Sequence, residues 1–284
     1  MTPHLLIFGL GYTGRAVALA AQRAGFAVTA TFRRPIADAP VGVALVPAAA
    51  AGEEIARATH LLTTAAPDES GDPVLAQYRG ALEAARQLGW IGYFSTTGVY
   101  GDRDGAWVDE TTEPAPGSPR TRRRAEAEQA WAAIATGKRF DIFRIAGIYG
   151  PGRSAFDDLL AGTARRTEKP GHAFGRIHRD DIAAAALAAM RQERPAGARV
   201  LNLADDEPAE SARVVEEAAQ LLGITPPPLV RFAEAARSMS PMALSFWAEN
   251  RRVSSAATKA ALGIAWKYPT YRDGLRAILT GENS

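Results

Sequence analysis

His4-Leu5-Leu6-Ile7-Phe8-Gly9-Leu10-Gly11-Tyr12-Thr13-Gly14-Arg15-Ala16-Val17-Ala18 decides the fold. A short apolar run, residues 4–8, reads as a strand. Three glycines follow in G-x-G-x-x-G spacing, and residues 13–24 then read as a helix. Strand, turn and helix in that order give this spacing its meaning as a dinucleotide fingerprint. Gly9 lets the chain turn sharply out of the strand. Gly11 leaves room for a pyrophosphate beside the backbone, and Gly14 lets the helix pack closely on the strand. The first N–H groups and the positive end of the helix then attract phosphate. Tyr12 and Thr13 open that helix, so their amides belong to the same candidate site. A glycine-rich turn without a ligand is the alternative, and context argues against it.

The continuation repeats the pattern. Gly25 ends the helix and residues 26–31 form a second strand, completing a βαβ unit with parallel strands and a right-handed crossover. Sites selective for NAD carry Asp or Glu at the end of this strand. Here Thr31, Phe32, Arg33 and Arg34 stand there, and the next carboxylate is Asp38. Two guanidiniums suit a 2′-phosphate, which points to NADP rather than NAD. Residues 43–46 form a short third strand and 52–58 a short helix. Residues 60–67 form a strand that runs into a loop. Thr64, Ala65 and Ala66 lie at its end, small enough for a ribose or nicotinamide, or simply for tight packing. A helix over 73–88 precedes a fifth strand from Trp90, with hydroxyls at its carboxyl end, where ligands bind in parallel sheets. A polar loop spans 102–119 and a helix 120–136, and residues 140–145 make the sixth strand. The chain then leaves the sheet over 155–175. It returns through a helix reaching Met190 and a last strand over 199–203. The fold class is α/β, a doubly wound parallel sheet with a small C-terminal lobe. Residues 1–150, completed by 176–205, form the dinucleotide-binding part. Residues 151–175 and 206–284 form a smaller substrate-binding lobe.

Composition narrows the function. The 284 residues are 47% hydrophobic, enough for a large core, and contain no cysteine, which excludes disulfides and thiolate chemistry. A formal charge of +2, spread among interspersed acids, argues against a nucleic-acid partner. No apolar run approaches the roughly 20 residues of a membrane span. The N-terminus lacks the pattern of a secretory signal, and the chain reads as cytoplasmic. His4, His60, His172 and His178 show no paired ligand spacing, so no metal is expected.

Five stretches together resemble the extended, here atypical, short-chain dehydrogenase/reductase family, the NAD(P)-dependent epimerase/dehydratase-like proteins. They are the glycine turn, Ser95-to-Gly101, Phe143-Arg144-Ile145 with Ile148-to-Gly152, His178-Arg179-Asp180-Asp181-Ile182, and Asn202-Leu203-Ala204. The G-x-G-x-x-G spacing departs from the family's usual G-x-x-G-x-x-G. The resemblance implies a nicotinamide cofactor, a homodimer through the helices flanking strand five, and a catalytic Ser or Thr with a Tyr-x-x-x-Lys pair. Thr96 matches the hydroxyl, which orients a substrate or bonds its own backbone. Counting back from Glu128, the Lys position holds Arg124 and the Tyr position Arg120. No Tyr lies between Tyr100 and Tyr149, and no Lys precedes Lys138. Arginine cannot donate a proton near neutral pH. Arg124 can bind ribose hydroxyls and Arg120 an anion. Alternatively Arg120, Arg122 and Arg123 form a solvated helix face.

Three functions follow. The first is an oxidoreductase on a carbonyl, alcohol or sugar-like small molecule, with a proton from Tyr100, Tyr149, His172, His178 or water. The second is an NADP-binding sensor without catalysis. The third is a nucleotide-sugar epimerase or dehydratase. Arg144 touches ligand or anchors its loop, Asp180 and Asp181 serve the site or simply cap a helix, and Trp247 and Trp266 line a pocket or fill the small-lobe core.

Overall fold

The computed structural model describes residues 2–34 and 38–281. Seven strands make the main sheet: β1 (His4–Phe8), β2 (Ala27–Phe32), β3 (Ala44–Pro47), β4 (His60–Thr63), β5 (Trp90–Thr96), β6 (Arg139–Ile145) and β7 (Gly197–Leu203). Their spatial order is β7-β6-β5-β4-β1-β2-β3. Every neighbouring pair is parallel. A parallel sheet is covered on both faces, so its central strands are apolar throughout. In β1 the side-chain alternation divides two cores. Leu5 and Ile7 pack with Val17, Ala18 and Ala21 of α1 (Tyr12–Arg23) and with Ile182 and Ala186 of the late helix. Leu6 and Phe8 face Ile55 of α2 (Gly52–Arg57), Tyr78 and Leu82 of α3 (Pro73–Ala84), and Trp131 of α4 (Pro119–Ile134). The late helix, α5 (Arg179–Arg191), is alanine-rich and lies close against α1.

Local chemistry fixes the helix starts. Asp72 accepts the amides of Val74 and Leu75 at the start of α3, and also Trp131 Nε1 at 3.0 Å. Ser118 and Thr121 cap α4 reciprocally, so it starts at Pro119 rather than at 120. Buried Asp141 joins Arg194 at 2.9 Å, Arg199 at 2.8 Å and Trp90 Nε1 at 2.8 Å, away from the ligand edge.

At the carboxyl edge, Phe8 sits opposite both Thr31 and Thr63, and Thr96 opposite Ile145. The strand order reverses between β1 and β4, which opens the crevice where such sheets take ligands.

Past β6 the chain forms short parallel pairs that periodicity does not reveal. Gly147–Tyr149 pairs with Arg176–His178, and Arg166–Glu168 with Leu229–Arg231. The 102–119 stretch, expected as a loop, contains Trp107–Val108 paired with Arg252–Val253. Helices α6 (Ser211–Leu222) and α7 (Tyr271–Thr280) bury a third apolar group with Tyr149 and Phe156. Trp266 departs from its expected place. It belongs to the core beside α1 and α5, with Nε1 donating to Ala204 O at 2.8 Å.

Candidate functional site

The glycine turn is built by backbone geometry. Gly9 has φ +98°, a conformation that disfavours side chains, and its carbonyl accepts the Thr64 hydroxyl at 2.8 Å. A Cβ on Gly14 would lie 2.3 Å from Gly9 O, so only glycine lets α1 start this close to β1. A Cβ on Gly11 would meet nothing within 4 Å. Gly11 is also the N-cap of α1 and makes no side-chain cap bond, so the first-turn amides at Tyr12, Thr13 and Gly14 have no intrahelical acceptor. An empty cradle beside uncapped amides fits a pyrophosphate. Tyr12 spends its hydroxyl elsewhere: it donates to Pro151 O at 3.0 Å, and the ring lies under Arg179.

A cavity of about 500 Å³ opens over this turn. Gly9 and Gly11 line it with exposed Arg33 and Arg34 from the end of β2, and with Thr64, Ala65 and Ala66 after β4. Among the described residues no carboxylate lines it. Thr64 is held within the protein by its bond to Gly9, while its small neighbours form the wall.

The arginine cluster on α4 divides by helical face. Arg122 is exposed, whereas Arg120 and Arg124 turn inward at four-residue spacing. Arg124 Nη1 donates to Phe94 O at 2.8 Å, to the Tyr93 hydroxyl at 3.2 Å and to Ala65 O at 3.3 Å. It thus ties the end of β5 to the wall of the first cavity. Burial pushes the Tyr93 phenol up to about 12 despite that cation, so Tyr93 accepts as a neutral phenol.

A second cavity, about 410 Å³, lies beyond β5 and β6. Thr96, Thr97, Ser118 and Arg120 line one side, and Phe174, Arg176, Phe246 and Trp247 the other. Thr96 Oγ1 accepts the Gly98 amide at 3.1 Å, which leaves its own proton to donate. Arg120 lies 4.7 Å over the Phe246 ring and makes no ion pair among the described residues. Burial, and then the neighbouring Arg124, lower its pKa. Trp247, of the two places open to it, lines this cavity, largely buried and stacked on His172 at 5.4 Å.

The other proton-donor candidates are placed away from it. Tyr100 is fully buried and donates to Asn202 Oδ1 at 2.8 Å. Tyr149 packs edge-on against His178 at 5.2 Å, and burial raises its pKa strongly. His178 is fully buried, caps α5 by accepting the Asp180 amide, and is pushed by burial down to about 4. His172 is likewise buried and pushed down to about 4. Arg144 pairs with Glu128 at 2.8 Å and lies over Tyr100, while Ser95 donates to the same Glu128. Asp181 accepts the amides of Lys267 and Tyr268, a tertiary tie that a capping expectation misses. Arg176 and Asp205, unremarked in the sequence, are brought together at the far wall, where Asp205 N donates to Arg176 O at 2.6 Å. Only their position after distant strands joins them.

Among the described residues no cluster of His, Asp or Glu fits a metal ion, and no helix is long and apolar enough to cross a membrane. No family model matches the chain. The E. coli K12 protein YeeZ is 34% identical over 145 residues, 50% of each chain, so the match spans half of that curated relative. A 3-diazoavenalumate denitrifying reductase from a Streptomyces species is 30% identical over 140 residues, 47% of this chain and 45% of the other. The human epimerase family protein SDR39U1, solved with NADPH, shares the fold at TM-score 0.77 and 17% identity over 99% of this chain and 100% of the other. MoeE5, solved with UDP-glucuronic acid and NAD, does so at 0.78 and 19% over 96% of each. The chain therefore shares the Rossmann-like α/β fold of the epimerase/dehydratase-like group. A conserved protein of unknown function from Silicibacter pomeroyi is 44% identical over 100% of both chains, at TM-score 0.89. The chain belongs to that protein's family within this group.

Proposed function

We propose that the chain is an NADP(H)-dependent oxidoreductase acting on the carbonyl or alcohol of a small molecule, with an arginine in place of the usual tyrosine. The observation that carries this is the bridge made by Arg124. One guanidinium bonds the carbonyl of Ala65, in the wall of the first cavity, and that of Phe94, two residues before Thr96 of the second, so it ties together the ends of neighbouring strands β4 and β5 between the two cavities.

On this reading residues 1–150 with 176–205 hold the cofactor, and 151–175 with 206–284 shape the substrate cavity. The amides at Gly11, Tyr12, Thr13 and Gly14 receive the pyrophosphate, and Arg33 and Arg34 the 2′-phosphate. Arg124 faces the ribose near Ala65 and Ala66. A bound nicotinamide dinucleotide supplies the two-electron chemistry. Thr96 donates a hydrogen bond to the substrate oxygen, keeping its proton, and Arg120 stabilises negative charge that develops there. Among the described residues no Tyr, Lys or His lines the second cavity, so water delivers the proton to the resulting alkoxide. The partly matching Streptomyces reductase is in keeping with reduction.

The same lack of a side-chain acid favours a second reading, an NADP-binding sensor. Epimerase or dehydratase chemistry needs a proton relay and fits this cavity less well. NADPH consumption over a panel of carbonyl compounds separates the readings. For an oxidoreductase, Thr96→Ala slows turnover at least about tenfold while NADPH affinity changes little, as expected for a donor used in the transition state. Binding of NADPH without consumption across the panel supports the sensor instead.

A further inference from the structure

The second cavity holds more positive charge than its acids balance. Arg120, Arg176 and Arg251 line it, against one carboxylate, Glu249, among the described residues. Arg251 takes that carboxylate at 2.8 Å and also donates to Gly101 O. Arg120 rests on an aromatic ring.

Arg176 is held by neutral groups. Its Nη1 donates to Phe174 O at 2.9 Å and to Ala209 O at 3.0 Å. Two carbonyls fix the guanidinium in place and leave its charge unpaired. It makes no ion pair among the described residues. The neighbouring acid does not cancel it. Asp205 is 2% exposed and, among the described residues, forms no ion pair with Arg176. Burial pushes Asp205 up to about 8 although Arg176 pulls it down, so the carboxyl is mostly neutral at pH 7.

Ser211 lines the same cavity at the first position of the twelve-residue α6. Its N-cap, Glu210, makes no side-chain cap bond, because its carboxylate accepts the Gly171 amide at 3.0 Å instead. The positive end of α6 therefore adds to the Arg176 charge. Between the charged groups the wall is aromatic: Phe174 and Trp247 meet edge-on at 4.9 Å and form an apolar corner.

We propose that the substrate is a carboxylate-bearing carbonyl compound with an apolar body, its acid group seated on Arg176 and its carbonyl oxygen on Thr96 and Arg120. This rests on the oxidoreductase reading above. Arg176 is then the residue that selects for the acid, through the forked geometry that guanidinium and carboxylate share.

The probes are 4-formylbenzoate and its methyl ester, as carbonyl acceptors with NADPH, and benzoate as a binding probe by calorimetry on the full chain with and without NADP⁺. The acid should exceed the ester in kcat/KM by about ten- to a hundredfold, the range expected for a charge-assisted bond. Arg176→Met and Arg176→Gln should each erase that preference, and Arg176→Lys should keep part of it. Gln can still bond the two carbonyls, which guards against a variant that fails only by folding. Equal use of acid and ester, or a preference that survives in Arg176→Gln, overturns the assignment. If NADPH binds and neither aldehyde is reduced, the oxidoreductase reading fails. Benzoate then decides the anion site separately: binding lost in Arg176→Gln upholds it, and no binding to the parent protein overturns it.

Discussion

Gly11 and Gly14 make the cofactor assignment testable, because the same substitution should act oppositely at the two positions. Gly11 has φ −82°, which any residue adopts, and an added Cβ would meet nothing within 4 Å. Alanine there loses a little as an N-cap and gains by restricting the unfolded chain, so stability should stay within about 0.5 kcal/mol. The new methyl group points into the cradle where the pyrophosphate would approach. Losing one charge-assisted bond to the amides costs about 1.5–3 kcal/mol, or roughly ten- to a hundredfold in NADPH affinity. Gly14 is the reverse. Its Cβ would lie 2.3 Å from Gly9 O, and Gly9 is itself confined at φ +98° with Thr64 against it. The overpacking should cost about 1–3 kcal/mol, several degrees in melting temperature. Thermal unfolding of ligand-free protein and fluorescence titration with NADPH read the two effects apart. Gly11→Ala that binds NADPH as tightly as the parent refutes a dinucleotide on this turn.

Changing Arg33 and Arg34 together to Ala should weaken NADPH by about tenfold or more while NADH hardly changes, since only the former carries the 2′-phosphate. Equal loss of both in parallel titrations removes that assignment. Asp205 predicts a pH dependence of folding. Its pKa is raised from 3.8 to about 8, so the native state holds a proton that the unfolded chain gives up. Its contribution is present in full below about pH 4 and declines as pH rises towards 8, by at most about 1.4 kcal/mol per pH unit. Asp205→Asn should therefore gain stability relative to the parent between pH 5 and about 8 in denaturant unfolding. A difference that stays flat with pH contradicts the neutral carboxyl.

What the sequence discloses and what it hides follow from the range of the interactions. The turn from Phe8 to Gly14 is local: strand period, glycine spacing and helix onset lie within one short stretch, and the backbone there depends on residues that carry no Cβ. The guanidiniums at the end of β2 are also readable, because a parallel strand delivers its last residues to the ligand edge. The fates of the α4 arginines are less accessible. Four-residue spacing puts Arg120 and Arg124 on one face, but not that Arg124 ends on the carbonyls of Ala65 and Phe94, 59 and 30 residues away. Tyr12 likewise looks like part of the phosphate turn until its hydroxyl meets Pro151, 139 residues further on. Arg176 is the clearest case. In sequence it is one cation before an Ile-His pair. It becomes a charge in a cavity because Phe174 and Ala209 bridge and both carbonyls fix it, the second from 33 residues away. The cofactor end of this molecule is written locally, and its substrate end arises where distant segments close. Sequence motifs therefore identify what would bind the phosphates long before they identify what would be reduced. Selectivity for a substrate acid at Arg176, on the proposal above, is a property of tertiary assembly, and a substitution at Ala209, which lies outside the cavity lining but holds the guanidinium, should alter it.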